Sequence, residues 1–303
     1  MDLSVEFAGI ELKNPVVLAS GTAGYGLELE PYIDLSSLGG VILKSVTLEP
    51  RVGNLEPRIW ETTAGMLNSI GLENIGVDAL LTDILPRLAG LDTAIIASIA
   101  GETVDEYAAL ASRLDGADGI RALEINVSCP NVQKGGVHFS SDPEALSSVV
   151  EAVREKCSLP VIVKLAASVV MDLHTVAWNA ERGGASALSV TNTIPALAVD
   201  PLTRRSRLGS MTGGLSGPAI KPIALKAVWD CFRFTGLPIL GGGGIFDVED
   251  ALEFLVAGAS AVTVGSAIFQ NPTRPAEIVD ELPGALERVG VDSVRELVGT
   301  LKE

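Results

Sequence analysis

Residues 94–128 read AIIASIAGETVDEYAALASRLDGADGIRALEINVS, and this stretch decides the fold. It opens on a continuous apolar run, AIIASI. It then passes through TVDEYAALASRLDG, where apolar residues recur at helical spacing behind an acidic first turn, and closes on a second run, ALEINVS. Continuous rather than alternating apolar runs mark strands buried on both faces, the habit of a parallel sheet covered by helices. The same alternation extends in both directions. PVVLAS from Pro15 and GVILKS from Gly40 precede the stretch; PVIVKL from Pro160, ALSVTN from Ala187, PILGGGG from Pro238 and AVTVGS from Ala261 follow it. DPEALSSVVEAVREKC and DVEDALEFLVAGA supply further amphipathic segments. Eight strand-and-helix units in roughly 250 residues or more have the size and order of a (β/α)8 barrel, whereas a doubly wound open sheet usually needs fewer strands.

The predicted class is therefore α/β, a (β/α)8 TIM barrel forming a single domain over residues 1–303. Beyond the alternation there is no repeat, low-complexity tract or dividing linker. Two intervals, 46–93 and 193–237, are too long for simple crossovers. Each is expected to be an inserted segment that builds local structure over the C-terminal mouth.

Composition narrows the function. The chain is 47% hydrophobic and 20% charged, ordinary for a soluble globular protein. Lys and Arg number 22 against 38 Asp and Glu, a formal charge of −16 that argues against broad nucleic-acid binding or docking on anionic lipid. An anionic ligand must then be held by local positive groups. The N-terminal MDLSVEFAGIELKNP contains no signal-like apolar run, and nowhere do about eighteen apolar residues follow one another, so no membrane span and a cytoplasmic location are expected. Cys129, Cys157 and Cys231 are odd in number and widely spaced, which suits neither a disulfide framework, a zinc site nor an iron–sulfur cluster. No metal site is predicted on this chain.

In such a barrel the active site lies at the C-terminal strand ends, and these ends are unusually polar. They carry Ser20-Gly21, Lys44-Ser45, Ser98, Asn126 to Cys129, Lys164, Asn192-Thr193, glycines 241–244, and Gly265-Ser266. Glycines after the seventh and eighth strands let backbone N–H groups approach a phosphate, although a glycine cluster is as often only a tight turn. Lysine seldom ends a buried strand without reason, because desolvating an ammonium is costly; the plain alternative is that Lys44 and Lys164 reach solvent along their stems. Two of them at one mouth favour an anionic ligand or a charge that develops during reaction. Asn68, Asn126 and Asn192 can donate and accept at once, which suits a planar ring bearing N–H and C=O groups.

With ASGTAGYG, ILKSVT, MLNSIGLEN, NVSCPN, VTNT, GGLSGPAIKP and GGGI in view, the chain resembles the class 1 dihydroorotate dehydrogenases from residue 4 to about 272. NVSCPN and MLNSIGLEN are the specific motifs; ASG and GGGI alone mean little. The resemblance implies an FMN-containing barrel that oxidises dihydroorotate to orotate in pyrimidine synthesis. It makes Cys129 the base that removes the C5 proton while the C6 hydride passes to N5 of FMN. A free thiol titrates near 8.5, so either neighbours lower it or the reaction favours alkaline pH. Gly135 and Gly136 suit a loop that closes over substrate.

By the same resemblance FMN contacts Ser20, Lys44, Ser45, Ser98, Asn126, Lys164, Val190 and Gly217, with Gly243, Gly244, Gly265 and Ser266 holding its phosphate. Lys164 falls near flavin N1 and the C2 carbonyl. Lys44, Asn68, Ser69, Ile70, Gly71, Leu72, Asn126, Asn192 and Thr193 surround the substrate. One departure stands at the third strand, where ASIAG replaces the family's usual ANVAG, so Ser98 replaces an asparagine near the flavin with a shorter reach.

GTAGYG and SIGLENIGVD resemble the class 1B catalytic subunit more than the fumarate-using 1A homodimer. A quinone-using relative is expected to carry an N-terminal extension. The 1B resemblance implies a homodimer core joined by a subunit carrying FAD and [2Fe–2S], a heterotetramer that passes electrons to NAD+. Open alternatives are the 1A enzyme, a dihydropyrimidine dehydrogenase-like flavoenzyme, which shares NxSCPN, and a non-catalytic flavin- or phosphate-binding module. Cys157 and Cys231 are expected to be packed thiols, His138 and His174 solvated or capping groups, and Asp172 and Glu253 helix-surface acids.

Overall fold

The computed structural model describes residues 1–127, 142–167 and 172–302. Its centre is a closed barrel of parallel strands, numbered β1 to β8 in chain order: Val16–Leu18, Gly40–Ile42, Ala94–Ile99, Ile120–Asn126, Val161–Leu165, Ala187–Val190, Ile239–Gly242 and Ala261–Val264. Each strand pairs with its sequence neighbours, and β8 closes on β1 through Val262↔Val16 and Val264↔Leu18. All eight runs read from the sequence contain a barrel strand or most of one. β3 is buried along its whole length, as expected of a strand covered on both faces.

Between the strands run the helices that the periodicity predicts. Thr103 caps Val104–Leu114 by accepting from Glu106 N, Asp142 caps Pro143–Lys156, and Asp247 caps Val248–Ala257. Each such cap contributes about 1 kcal/mol. Their apolar stripes, among them Leu110, Leu114, Val149, Val153, Leu252 and Leu255, are buried on the barrel. At the N-terminal end an antiparallel hairpin, Val5–Phe7 with Ile10–Leu12, precedes β1 and buries Phe7 and Leu12.

The two long intervals build local structure as expected, the second adding a small hairpin of Val199–Asp200 with Arg205–Ser206, and they also combine. Ile59–Thr62 and Gly65–Asn68 from the first, with Ile194–Ala196 and Gly213–Ser216 from the second, form one four-stranded antiparallel sheet. Asn68 lies opposite Gly214, and Gly214 opposite Pro195. Because the insertions leave the barrel after β2 and β6, their shared sheet ties two distant strand ends together at the C-terminal mouth.

Candidate active site at the barrel mouth

A continuous chain of polar side chains crosses the mouth. Asn192 Nδ2, just beyond β6, donates to Asn126 Oδ1 at the end of β4 at 3.5 Å. Asn126 Nδ2 donates to Ser45 Oγ, beyond β2, at 3.2 Å. The Ser45 and Ser98 hydroxyls lie 2.8 Å apart, and Ser98 on β3 donates to Glu124 Oε1 on β4 at 3.0 Å. Glu124 Oε1 is 3.9 Å from Lys164 Nζ on β5, which donates to Ser20 Oγ beyond β1 at 2.9 Å. Five adjoining strand ends and that of β6 are thereby joined through side chains.

Alternation along β4 explains the placement. Ala122, Glu124 and Asn126 share one face of the strand. Asn126 is in register with Lys164 and Glu124 with Ser98, so Glu124 sits one layer beneath the amide and the ammonium. Its side chain is fully buried, and among the described residues Oε2 has no hydrogen-bond partner. Tyr107, from the helix after β3, anchors the end of β4 by donating to Asn126 O at 2.9 Å. Nothing in the sequence reading singles out Glu124 or Tyr107. The signal for Glu124 is a carboxylate inside an otherwise apolar run, ALEIN.

Around this chain the other expected residues divide into two groups. The first is a backbone cradle after β7. Gly243 and Gly244 have φ of +128° and +92°, and a Cβ on Gly244 would lie 2.8 Å from Lys221 Cβ and 2.9 Å from Gly217 O. Only glycine keeps this loop against the Pro218–Ile220 turn and the helix Lys221–Phe234. Asp250 fastens the same corner, accepting from Phe246 N at 2.8 Å and from Lys221 Nζ at 2.6 Å. Hydrogen bonding to Asp250 holds the Lys221 ammonium above its usual range. Gly265 follows β8 beside Ala19, Ser266 opens the short turn after it, and Val190 ends β6 fully buried.

The second group is the inserted sheet and the loop after it. Asn68 Nδ2 donates to Gly214 O at 3.3 Å, and Thr193 packs on the Gly214 Cα. Asn54 fixes the loop that follows, its N–H donating to Ile70 O at 3.0 Å and its Nδ2 to Ser69 Oγ at 3.0 Å. Gly71 and Leu72 adopt φ of +74° and +56°, so the backbone here turns in a way that L side chains seldom allow. Lys44 N donates to Gly24 O at 2.8 Å, and the Lys44 side chain is part-buried beside Ser45.

Cys129, Gly135, Gly136 and His138 lie outside the described residues. The other cysteines are packed as expected. Burial pushes Cys157 up to about 11 and Cys231 up to about 12, so both stay protonated at neutral pH. Asp172 caps its helix, His174 lies in the first turn against Phe234, and Glu253 reaches Lys221. Among the described residues no His, Cys, Asp and Glu cluster could hold a metal, and no helix is long and apolar enough to cross a membrane.

A family model described as dihydroorotate dehydrogenase matches residues 2–286. The dihydroorotate dehydrogenase B (NAD(+)), catalytic subunit, of Desulforudis audaxviator is 52% identical over 98% of this chain and 96% of its own length. The protein of the same name from Desulforamulus reducens is 48% identical over 99% and 98%. A relative from Solibacter usitatus, provisionally named dihydroorotate dehydrogenase A (fumarate), is 49% identical over 99% and 98%.

Proposed function

We propose that this chain, which belongs to the dihydroorotate dehydrogenase family, oxidises dihydroorotate to orotate in pyrimidine biosynthesis as the catalytic subunit of an NAD+-linked enzyme. The observation that carries the reading is the part-buried run of side chains from Asn192 to Ser20. It sets amides, hydroxyls and the Lys164 ammonium around one barrel mouth.

The residues fit FMN. Close packing fixes the backbone at Gly217, Gly243 and Gly244, while a Cβ on Gly265 would meet nothing nearer than 3.6 Å; with Ser266 this corner suits a phosphate. Ser20, Asn126 and Lys164 supply donors for the ring's carbonyls and nitrogens, and Ser45 steadies the Asn126 amide beneath them. Ser98, whose hydroxyl is engaged by Ser45 and Glu124, acts behind that surface, and Val190 supplies an apolar wall. When bound, FMN supplies the two-electron acceptor that no side chain of this protein can provide.

The remaining work belongs to the chain. Lys44 and the backbone of residues 69–72 hold the dihydroorotate carboxylate. Asn68, Asn126, Asn192 and Thr193 fix the ring's N–H and C=O groups, so that the substrate is oriented before reaction. Cys129 takes the C5 proton as hydride leaves C6, and the C5=C6 double bond of orotate forms. Lys164 balances the negative charge that accumulates beside it.

Electrons then pass to a partner subunit carrying FAD and [2Fe–2S], arranged about a homodimer of this chain in the cytoplasm. The names of the Desulforudis and Desulforamulus relatives favour this route, while that of the Solibacter relative keeps fumarate in view as acceptor.

Purified protein incubated with dihydroorotate and an artificial electron-accepting dye tests the reading. Orotate is expected to form, and dihydrouracil is expected to give no reaction. A colourless protein, or equal turnover of the two substrates, contradicts it. Efficient fumarate reduction by the chain alone contradicts the NAD+ assignment only.

A further inference from the structure

Glu124 is the anomaly of the barrel interior. Its carboxylate is completely buried and, among the described residues, holds a single hydrogen bond, from Ser98, and leaves Oε2 without a partner. Burying a carboxylate in this state is expensive, and an apolar residue in ALEIN would pack the strand without that cost. Two features of its position show what the carboxylate does.

The first is direction. An ionised carboxylate only accepts, so the Ser98 proton points down to Glu124. The Ser45 proton must then point to Ser98, leaving Ser45 Oγ to accept from Asn126 Nδ2. Glu124 is thus the terminal acceptor that orients every donor up to the Asn126 amide. The second is charge. Oε1 lies 3.9 Å below Lys164 Nζ, too far for a hydrogen bond but close enough for strong Coulomb coupling at a site screened from water. Glu124 offsets the positive field that Lys164 projects into the mouth.

We infer that Glu124 is a positioning residue that lowers the reduction potential of the flavin by acting through Lys164, while fixing the orientation of the Ser98–Ser45–Asn126 chain. This rests on the flavin reading above. A lower potential weakens the flavin as an acceptor from substrate and strengthens it as a donor to the next carrier, which suits a subunit that must hand its electrons on.

The test is the midpoint potential of the flavin-loaded protein, measured anaerobically against a reference dye, for wild type and Glu124→Gln. The amide can still accept from Ser98 but carries no charge. The reduced-to-oxidised ratio at fixed potential is expected to rise at least tenfold, about 30 mV upward for a two-electron couple, with FMN content retained. An unchanged or lowered potential in this variant overturns the inference. Should Glu124→Gln fail to fold, Glu124→Asp, which keeps the charge but withdraws it by one methylene, is expected to shift the potential upward by less; no shift, or a downward one, overturns the inference equally. Wild type that carries no flavin sinks this inference together with the functional reading. Wild type bleached by dihydroorotate, with an unshifted variant, sinks this inference alone.

Discussion

Asparagines stand at both ends of this barrel and are used differently. Asn14, just before β1, is 3% exposed and bound to backbone throughout: Nδ2 donates to Ser37 O at 2.8 Å, while Oδ1 accepts from Val16 N at 3.1 Å and Gly39 N at 3.0 Å. It staples the entries of β1 and β2 together. At the other end Asn126 and Asn192 are part-buried: their side chains meet in a bond 3.5 Å long, Asn126 Nδ2 donates to Ser45 Oγ, and Asn192 Oδ1 accepts at 2.8 Å from the N–H of its own neighbour Thr193 rather than from another strand. Backbone partners fix a chain, whereas side-chain partners can be rearranged around a ligand. The same residue type therefore serves architecture below and chemistry above.

Substitutions at the two ends should separate along that line. The largest effect is expected for Cys129→Ala, which should keep FMN but slow flavin reduction by dihydroorotate about a thousandfold, some 4 kcal/mol of barrier, in anaerobic rapid mixing. Reduction at the wild-type rate would reject the base assignment. Next comes Asn14→Ala. It strands buried backbone groups, so stability to denaturant should fall by about 3 kcal/mol while the turnover per bound flavin stays unchanged. Asn192→Ala should do the reverse, weakening dihydroorotate binding about tenfold, near 1.4 kcal/mol, with stability altered by less than about 1 kcal/mol. Equal stability losses at Asn14 and Asn192 would erase the contrast between the ends.

The effect that is smallest at neutral pH, and grows only in alkali, belongs to neither end. Cys157 and Cys231 are pushed up to about 11 and about 12 by burial, so above the ordinary thiol range the unfolded chain releases protons that the folded chain keeps. Stability should then fall as pH rises from about 8.5 towards 11, at a slope approaching about 1.4 kcal/mol per pH unit for each thiol, and a double Cys→Ser variant should lose that slope. A slope of opposite sign would contradict the burial argument.

Much of this was legible before any coordinates. The strands announced themselves because residues such as those of AIIASI are apolar on both faces, and the helices that Thr103, Asp142 and Asp247 cap did so through apolar residues at helical spacing. The polar strand ends from Ser20 to Ser266 followed once the barrel was assumed. What stayed hidden was non-local. Gly65–Asn68 and Gly213–Ser216 are short and glycine-bearing, and nothing within either segment states that they pair across 146 residues, as Asn68 and Gly214 do. Glu124 stayed hidden for a different reason. A lone acid within a strand gains its meaning only from Ser98 and Lys164, brought beside it by the register of the neighbouring strands.

The central claim is that the polar mouth, and no other part of the molecule, carries out the oxidation of dihydroorotate. Anaerobic mixing of the purified flavoprotein with dihydroorotate, following the yellow flavin band, tests it most directly. The band is expected to bleach in wild type and, at the same rate, in Asn14→Ala. A band that stays yellow in the wild-type protein would contradict the account.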